Sequence, residues 1–536
     1  MKIPVSREDL HRKVYLSGLA LLVCSLPLSR YLLSISLFIL LINWLTEGRF
    51  RQKINLIKQN PSALLFTSIF IVYCAGLLHT QNLNPGLARV KNALPLLLLP
   101  LVVGTSQPLS GKHFRQLLLL FSAAVMAASL VCLIHYFIKG MNTNGNFRDI
   151  SIFMHHIRFS LMIVMAVFIQ LYYSPDKRYA GKIPEKILLA IGACFLIAFL
   201  LFLRSFTGIL IFMAMALVFI LNRAIRNPDT RIRHAVFILV AFAFASIFIV
   251  TFLVYRHNFH ARPGPPETLE LFTINGNPYS HDTQTGAMEN GHYIDLYVCE
   301  PEMKKEWERI SHIAYEAKDL KGQPVNYTLR RYLTSKGFRK DSAGISNLSN
   351  LDIQRIEKGL ANYKFRNNPG IYQRLYETLW ELHILSRTGY VMQHSLGQRI
   401  AFLQASGTPL KENLWTGVGT GDVYESMRRS AKDKKLVVDP LWEGKPHNQF
   451  VFFMLAFGLP GFLYLMICLG LPVLKNKTCR FLLFNIFAGI MLTSMLVLDT
   501  FESYDSMVFF AIFYCLFVFG SGRKEENKSR ETSHAN

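Results

Sequence analysis

The chain has 536 residues, 51% of them hydrophobic and 17% charged, with a formal net charge of +23. Such an apolar composition, rich in Phe, Leu and Ile, sets the class as a polytopic membrane protein. The positive excess is spread over alternate loops, a membrane-orientation pattern, which excludes nucleic acid as a partner.

Crossing a hydrocarbon core of ~30 Å takes roughly 20 helical residues. Apolar runs of that order lie at 14–29, 31–45, 62–79, 92–105, 115–138, 157–173, 187–203, 206–222, 234–254, 448–474, 481–500 and 507–520. They predict about twelve transmembrane helices. The run at 92–105 is short and interrupted by Pro95 and Pro100. No small-residue cleavage site follows the charged start, Met1 to Lys13, so the first run reads as a span and not as a signal peptide.

Basic residues fix the orientation. Arg49, Arg51, Lys53 and Lys58, then Lys177, Arg178, Lys182 and Lys186, then Arg223, Arg226, Arg231 and Arg233, all fall on one side of a twelve-helix topology. Lys112, Arg115, Lys475, Lys477, Arg480 and both termini join them, which predicts cytoplasmic termini. The chain then divides into an N-terminal bundle at 1–254 (about nine helices), an outer domain at 255–447, a C-terminal group at 448–520 (about three helices) and a disordered tail at 521–536.

The outer segment opens with Ala261-Arg262-Pro263-Gly264-Pro265-Pro266, a stiff linker. Apolar residues at helical spacing predict helices over Glu302 to Ala317, Asp352 to Tyr363 and Ile371 to Leu385. Of the eight cysteines only Cys299 lies in this domain. It cannot staple the domain to itself, and the absence of a C-x-x-C pair argues against zinc or a thiol redox site.

Polar groups gather at the outer ends of the spans. Lys91 precedes the fourth, Arg158 starts the sixth and Arg204 ends the seventh. Each reads either as a snorkelling anchor or as part of a phosphate site, for which the arginine fork is suited. Arg399 follows in Gly397-Gln398-Arg399, then Gly417-Val418-Gly419-Thr420-Gly421, whose glycines offer a phosphate cradle or a turn, the turn being commoner. Pro446-His447-Asn448 opens the next span, placing a titratable imidazole at the membrane boundary. It is either an interfacial histidine bonded to backbone or a base. Asp499, Glu502 and Asp505, beside the last outer turn, read either as binders of sugar hydroxyls or as solvated, solvation being the commoner case.

In its order of an arginine on a helix, a glycine turn and Pro-His-Asn opening a span that continues Phe457-Gly458-Leu459-Pro460-Gly461, the chain resembles the O-antigen ligase and polymerase family. Related protein O-oligosaccharyltransferases share the pattern. The outer domain, including Tyr327 to Lys340, looks like the Bacteroides-type version. The resemblance covers most of the chain. It implies an all-α inner-membrane protein with about twelve transmembrane helices and one large, mainly helical periplasmic domain, similar to C-type glycosyltransferases. The implied activity is transfer of a glycan from undecaprenyl pyrophosphate to a hydroxyl acceptor, lipid A core in a ligase, inverting and without metal or cofactor. His447 falls on the family's histidine, a general base, and Arg399 on its loop arginine. Arg204 stands where the family has Ser-Arg closely followed by glycine. Here Ser205-Phe206-Thr207-Gly208 departs from that pattern, so the second phosphate ligand is Arg204 or Arg158. A transporter of lipid-linked glycans is the reading from another class; its expected repeats and midplane polar groups are not evident in the sequence.

Overall fold

Each predicted apolar run falls on a helix in the computed structural model, which describes residues 6–59, 61–139, 150–174, 183–259, 269–282, 286–320, 322–365, 371–388, 395–436, 438 and 442–520. The first ten helices are α1 (Arg7–Ser25), α2 (Arg30–Glu47), α3 (Phe50–Gln59), α4 (Pro61–Ala75), α5 (Leu83–Thr105), α6 (Gly111–Lys139), α7 (His156–Tyr173), α8 (Ile183–Phe202), α9 (Phe206–Ile225) and α10 (Thr230–Phe259). A two-residue hairpin, β1 (Met288–Glu289) and β2 (His292–Tyr293), precedes α11 (Glu300–Ile310), α12 (Val325–Ser335), α13 (Ser342–Ser346), α14 (Asn350–Glu357) and α15 (Ile371–Thr388). Then come α16 (Ser395–Glu412), α17 (Val423–Asp433), α18 (Gln449–Lys475), α19 (Leu482–Val497) and α20 (Tyr504–Cys515). The Ala261 to Pro266 linker, Lys177, Arg178, Lys182 and the tail at 521–536 lie outside the described residues.

Among the described residues, eight helices are long and apolar enough to cross a membrane: α2, α5, α6, α7, α8, α9, α10 and α18. Shorter apolar helices occupy Pro61–Ala75, Leu482–Val497 and Tyr504–Gly520. The chain is an all-α, multi-pass membrane protein.

Three local differences from the sequence reading have physical causes. Helix α5 starts at Leu83, ahead of the predicted run, and the Arg89 charge that its early turns carry is met by Glu502. The helix expected to Ala317 stops at Ile310, where buried Trp307 donates its indole N–H to Ile313 O (2.8 Å) and the chain folds back. The helix expected to Tyr363 stops at Glu357, because Gly359 turns left-handed (φ +72°).

The chain divides into two units, one of Met1–Val236, Phe402–Lys435 and Trp442–Asn536, the other of Phe237–Ala401 and Leu436–Leu441. In the first, α7 is buried continuously from Phe159 to Gln170 and α20 from Asp505 to Cys515, so these apolar helices are the centre of the bundle. Phe121, Phe487, Phe509 and Phe513 interlock there as stacked and edge-on rings.

The second unit packs Met303, Trp307, Leu329, Tyr332 and Ile356 into one core and Phe259, Tyr376, Trp380 and Ile384 into another. Beside the latter, Arg331 lies over the Trp380 ring (3.7 Å) and donates from Nε to Glu289 Oε2 (2.9 Å). Asn362 Nδ2 donates to the other Glu289 oxygen (2.6 Å). Replacing Arg331 by Met strands a carboxylate that is fully buried. The expected cost is ~3–5 kcal/mol, read as earlier thermal unfolding and faster proteolysis of this unit in the full-length protein.

Candidate functional site

His447 immediately precedes α18, and its backbone is left-handed (φ +49°), a conformation that costs a non-glycine residue ~1–3 kcal/mol. The turn is held from below. Asp499 accepts the His447 N–H at Oδ2 (3.1 Å) and the Asn448 N–H at Oδ1 (3.1 Å). Asn448 then caps α18, its Oδ1 accepting from Phe450 (3.0 Å) and Val451 (3.1 Å).

The imidazole is fixed on two sides. Its Nδ1 lies 4.0 Å from Asp499 Oδ2, an electrostatic contact longer than a hydrogen bond. Its ring packs on Phe402 (centroids 5.1 Å apart), which stacks in turn on Trp442 (4.8 Å). With 35% of its side chain exposed, His447 stays reachable from solvent.

Asp499 is not the solvated acid expected from sequence. Its side chain is 5% exposed, and burial, reinforced by the Glu502 charge, pushes its pKa up to about 7 against the pull of the two N–H donors. The sign of the linked stability follows. The folded state holds the Asp499 proton up to about pH 7, whereas an unfolded aspartate releases it near pH ~4. Between those values folded protein binds more protons, so this group's contribution to stability falls as pH rises. The thermal midpoint is expected to drop between about pH 4 and about pH 7 and to level off above, and Asp499→Asn to flatten that slope whatever it does to the midpoint itself.

Glu502 and Asp505 are also buried, correcting the same expectation. Arg89 Nε donates to Glu502 Oε2 (2.6 Å), and Tyr424 O–H donates to the same oxygen (3.1 Å). The Arg89 guanidinium lies over the Tyr424 ring (4.2 Å) and donates from Nη1 to Thr420 O (2.8 Å) and Gly421 O (3.2 Å). Asp505, with a side chain 1% exposed, accepts from Arg30 Nη2 (2.9 Å) and faces Arg158 Nη1 (3.5 Å). Desolvating a carboxylate requires such partners, and here they come from helices remote in sequence.

The sequence-predicted arginines divide accordingly. Arg158 is brought to Asp505 at the start of α7. Arg204 forms the left-handed turn (φ +51°) between α8 and α9. Next to it Ser205 caps α9 and donates to Ser160 Oγ (3.1 Å) on α7, so the two arginines belong to one end of the bundle. Gly208 permits this approach: a Cβ there would sit 2.4 Å from the Ser160 side chain. The departure from a Ser-Arg-Gly spacing thus still places a glycine at the helix contact. Arg399 lies in the other unit, on α16, and burial draws its pKa down from the usual arginine value. Lys91 lies in α5.

The glycine run is a packing turn. Gly417, Val418, Gly419 and Thr420 donate their N–H groups to the carbonyls of Asn413, Leu455, Ala456 and Gly76, and Gly421 donates to Thr80 Oγ1. With every N–H of the run engaged inside the protein, the loop does not cradle phosphate.

Sequence reasoning missed Arg30 and Arg89. The available signal was a charge inside the largely apolar α5 and another at the first position of the largely apolar α2, each of which demands a partner. Together Arg30, Arg89, Arg158 and Arg204 outweigh Glu502, Asp505 and Asp499, leaving an arginine-rich bundle end to which Asp499 ties His447. No family model and no curated protein matches the chain.

Proposed function

We propose that this chain is a membrane glycosyltransferase of the O-antigen ligase type, moving a glycan from undecaprenyl pyrophosphate to a hydroxyl acceptor such as lipid A core. The observation carrying this reading is the solvent-reachable His447 braced by Asp499 at an arginine-rich bundle end. In the proposed topology about twelve helices cross the bacterial inner membrane. Both termini are cytoplasmic, and the 255–447 segment is periplasmic. The carrier's tail stays among membrane lipids while its pyrophosphate meets the site.

In this reading Nδ1 faces Asp499 and Nε2 is the nitrogen that takes the acceptor hydroxyl's proton. As Nε2 takes the proton, the acceptor oxygen bonds the anomeric carbon and the sugar–phosphate bond breaks on the opposite face, its electron pair leaving with pyrophosphate. The configuration inverts. Arg204 or Arg158 would stabilise the charge growing on that leaving group. Asp499 offsets the imidazolium that forms.

The test is transfer from a synthetic polyprenyl pyrophosphate donor by purified protein and by His447→Ala. Full transfer by the variant sinks the proposal. Product size separates one block added to lipid A core or protein from the polymerase outcome, a ladder of repeats still on the carrier.

A further inference from the structure

We propose that the buried Arg89–Glu502 pair is a positioning element of the transfer site, holding the Asp499 turn so that its carboxylate engages His447. This rests on the reading of His447 as the base. Asp499 and Glu502 lie in the short connection between α19 and α20, where the Glu502 N–H donates to Asp499 O (3.2 Å). The two residues are therefore joined through their backbones in one short turn.

Glu502 is in turn fixed by Arg89, both side chains being less than a tenth exposed (7% and 9%). Arg89 reaches beyond the pair, to the Thr420 and Gly421 carbonyls, the Tyr424 ring and the face of Phe452 (5.3 Å) on α18. One guanidinium thus joins α5, the glycine run, α17, α18 and the α19–α20 connection, of which α18 follows His447 directly and the connection carries Asp499. A lysine could keep the charge but not these simultaneous forked contacts.

Charge acts on the same contact. Asp499 faces His447 and feels Glu502, Lys445 and Tyr424; Glu502 faces Arg89, Tyr424 and Tyr73. Removing the Glu502 charge leaves Asp499 more fully ionised at neutral pH, and an anion beside Nδ1 favours the imidazolium.

The experiment uses the full-length protein in lipid nanodiscs. Arg89→Lys is expected to lower kcat by ~10–100-fold with KM for the polyprenyl pyrophosphate donor within about twofold, as misplacement of a reacting group does. In Glu502→Gln the titration midpoint of His447, followed by NMR of histidine-labelled protein and assigned by its loss in His447→Asn, is expected to move up by about half a pH unit or more. Wild-type kcat in Arg89→Lys, or an unshifted midpoint in Glu502→Gln, overturns the proposal. Should Glu502→Gln fail to fold, the kinetics of Arg89→Lys decide alone. Should wild-type protein transfer nothing from the donor, the reading of His447 as base falls, while the substrate-free titration still decides whether the pair acts on His447.

Discussion

Replacing His447 by Asn is expected to lower the rate of glycan transfer by ~10²–10⁴-fold, the usual worth of a general base, while leaving donor KM and the thermal midpoint near wild type. Asn is a sharper probe than Ala because of the backbone. His447 adopts φ +49°, a region that Asn enters more readily than Ala. The Ala variant removes the imidazole and also strains the turn whose N–H groups bind Asp499. Any loss in Ala therefore mixes chemistry with geometry, whereas loss in Asn isolates the ring. The donor KM should hold because the pyrophosphate is assigned to arginines. An Asn variant that transfers at the wild-type rate would remove the base from the mechanism, and one whose KM rises with unchanged kcat would make His447 a binding residue.

Why the helices were legible and the site only partly so comes down to which interactions are local. A long apolar stretch such as 157–173 must satisfy its own backbone in a membrane, so it folds as helix whatever surrounds it, and α7 does. His447 and Arg158 stood out because a polar group at a span boundary is visible in a few residues of sequence. Asp499, Glu502 and Asp505 were misread because burying each depends on a partner the local sequence does not show: the N–H groups before α18, Arg89 on α5, and Arg30 and Arg158 on α2 and α7. The pattern of acids beside an apolar run is the same for a solvated turn and for a buried hub. The break within α18 was hidden too, since Phe457-Gly458-Leu459-Pro460-Gly461 reads as an unbroken apolar run.

That break carries the second large effect, a collapse of the bundle on Gly458→Ala or Gly417→Ala. At Gly458 the chain takes φ +65° and ψ −178°, a region essentially confined to glycine, and α18 is interrupted. The interruption would orphan backbone groups: Leu459 no longer donates to Leu455 O, and Pro460, opening the second half, has no N–H to give Ala456 O. The glycine run supplies the missing partners. Val418 N–H donates to Leu455 O (2.7 Å), Gly419 N–H to Ala456 O (3.1 Å), and Leu459 N–H to Leu414 O (2.7 Å). Exchange at this range leaves no room for side chains, since a Cβ on Gly417 would sit 2.4 Å from Ala456 O and one on Gly458 2.5 Å from Trp415 O. Either alanine must strain the backbone and break part of this exchange, for an expected loss of roughly 3 kcal/mol or more. Thermal unfolding should fall sharply in both variants, and transfer with it, because the half of α18 that begins beside His447 loses its splint. Gly470→Ala in the same helix, where a Cβ meets nothing within 4 Å, should melt at or above wild type, as alanine is the better helix former. If all three alanines melted alike, the loop would not be what holds the break, and the glycines of both motifs would need another reason to be there.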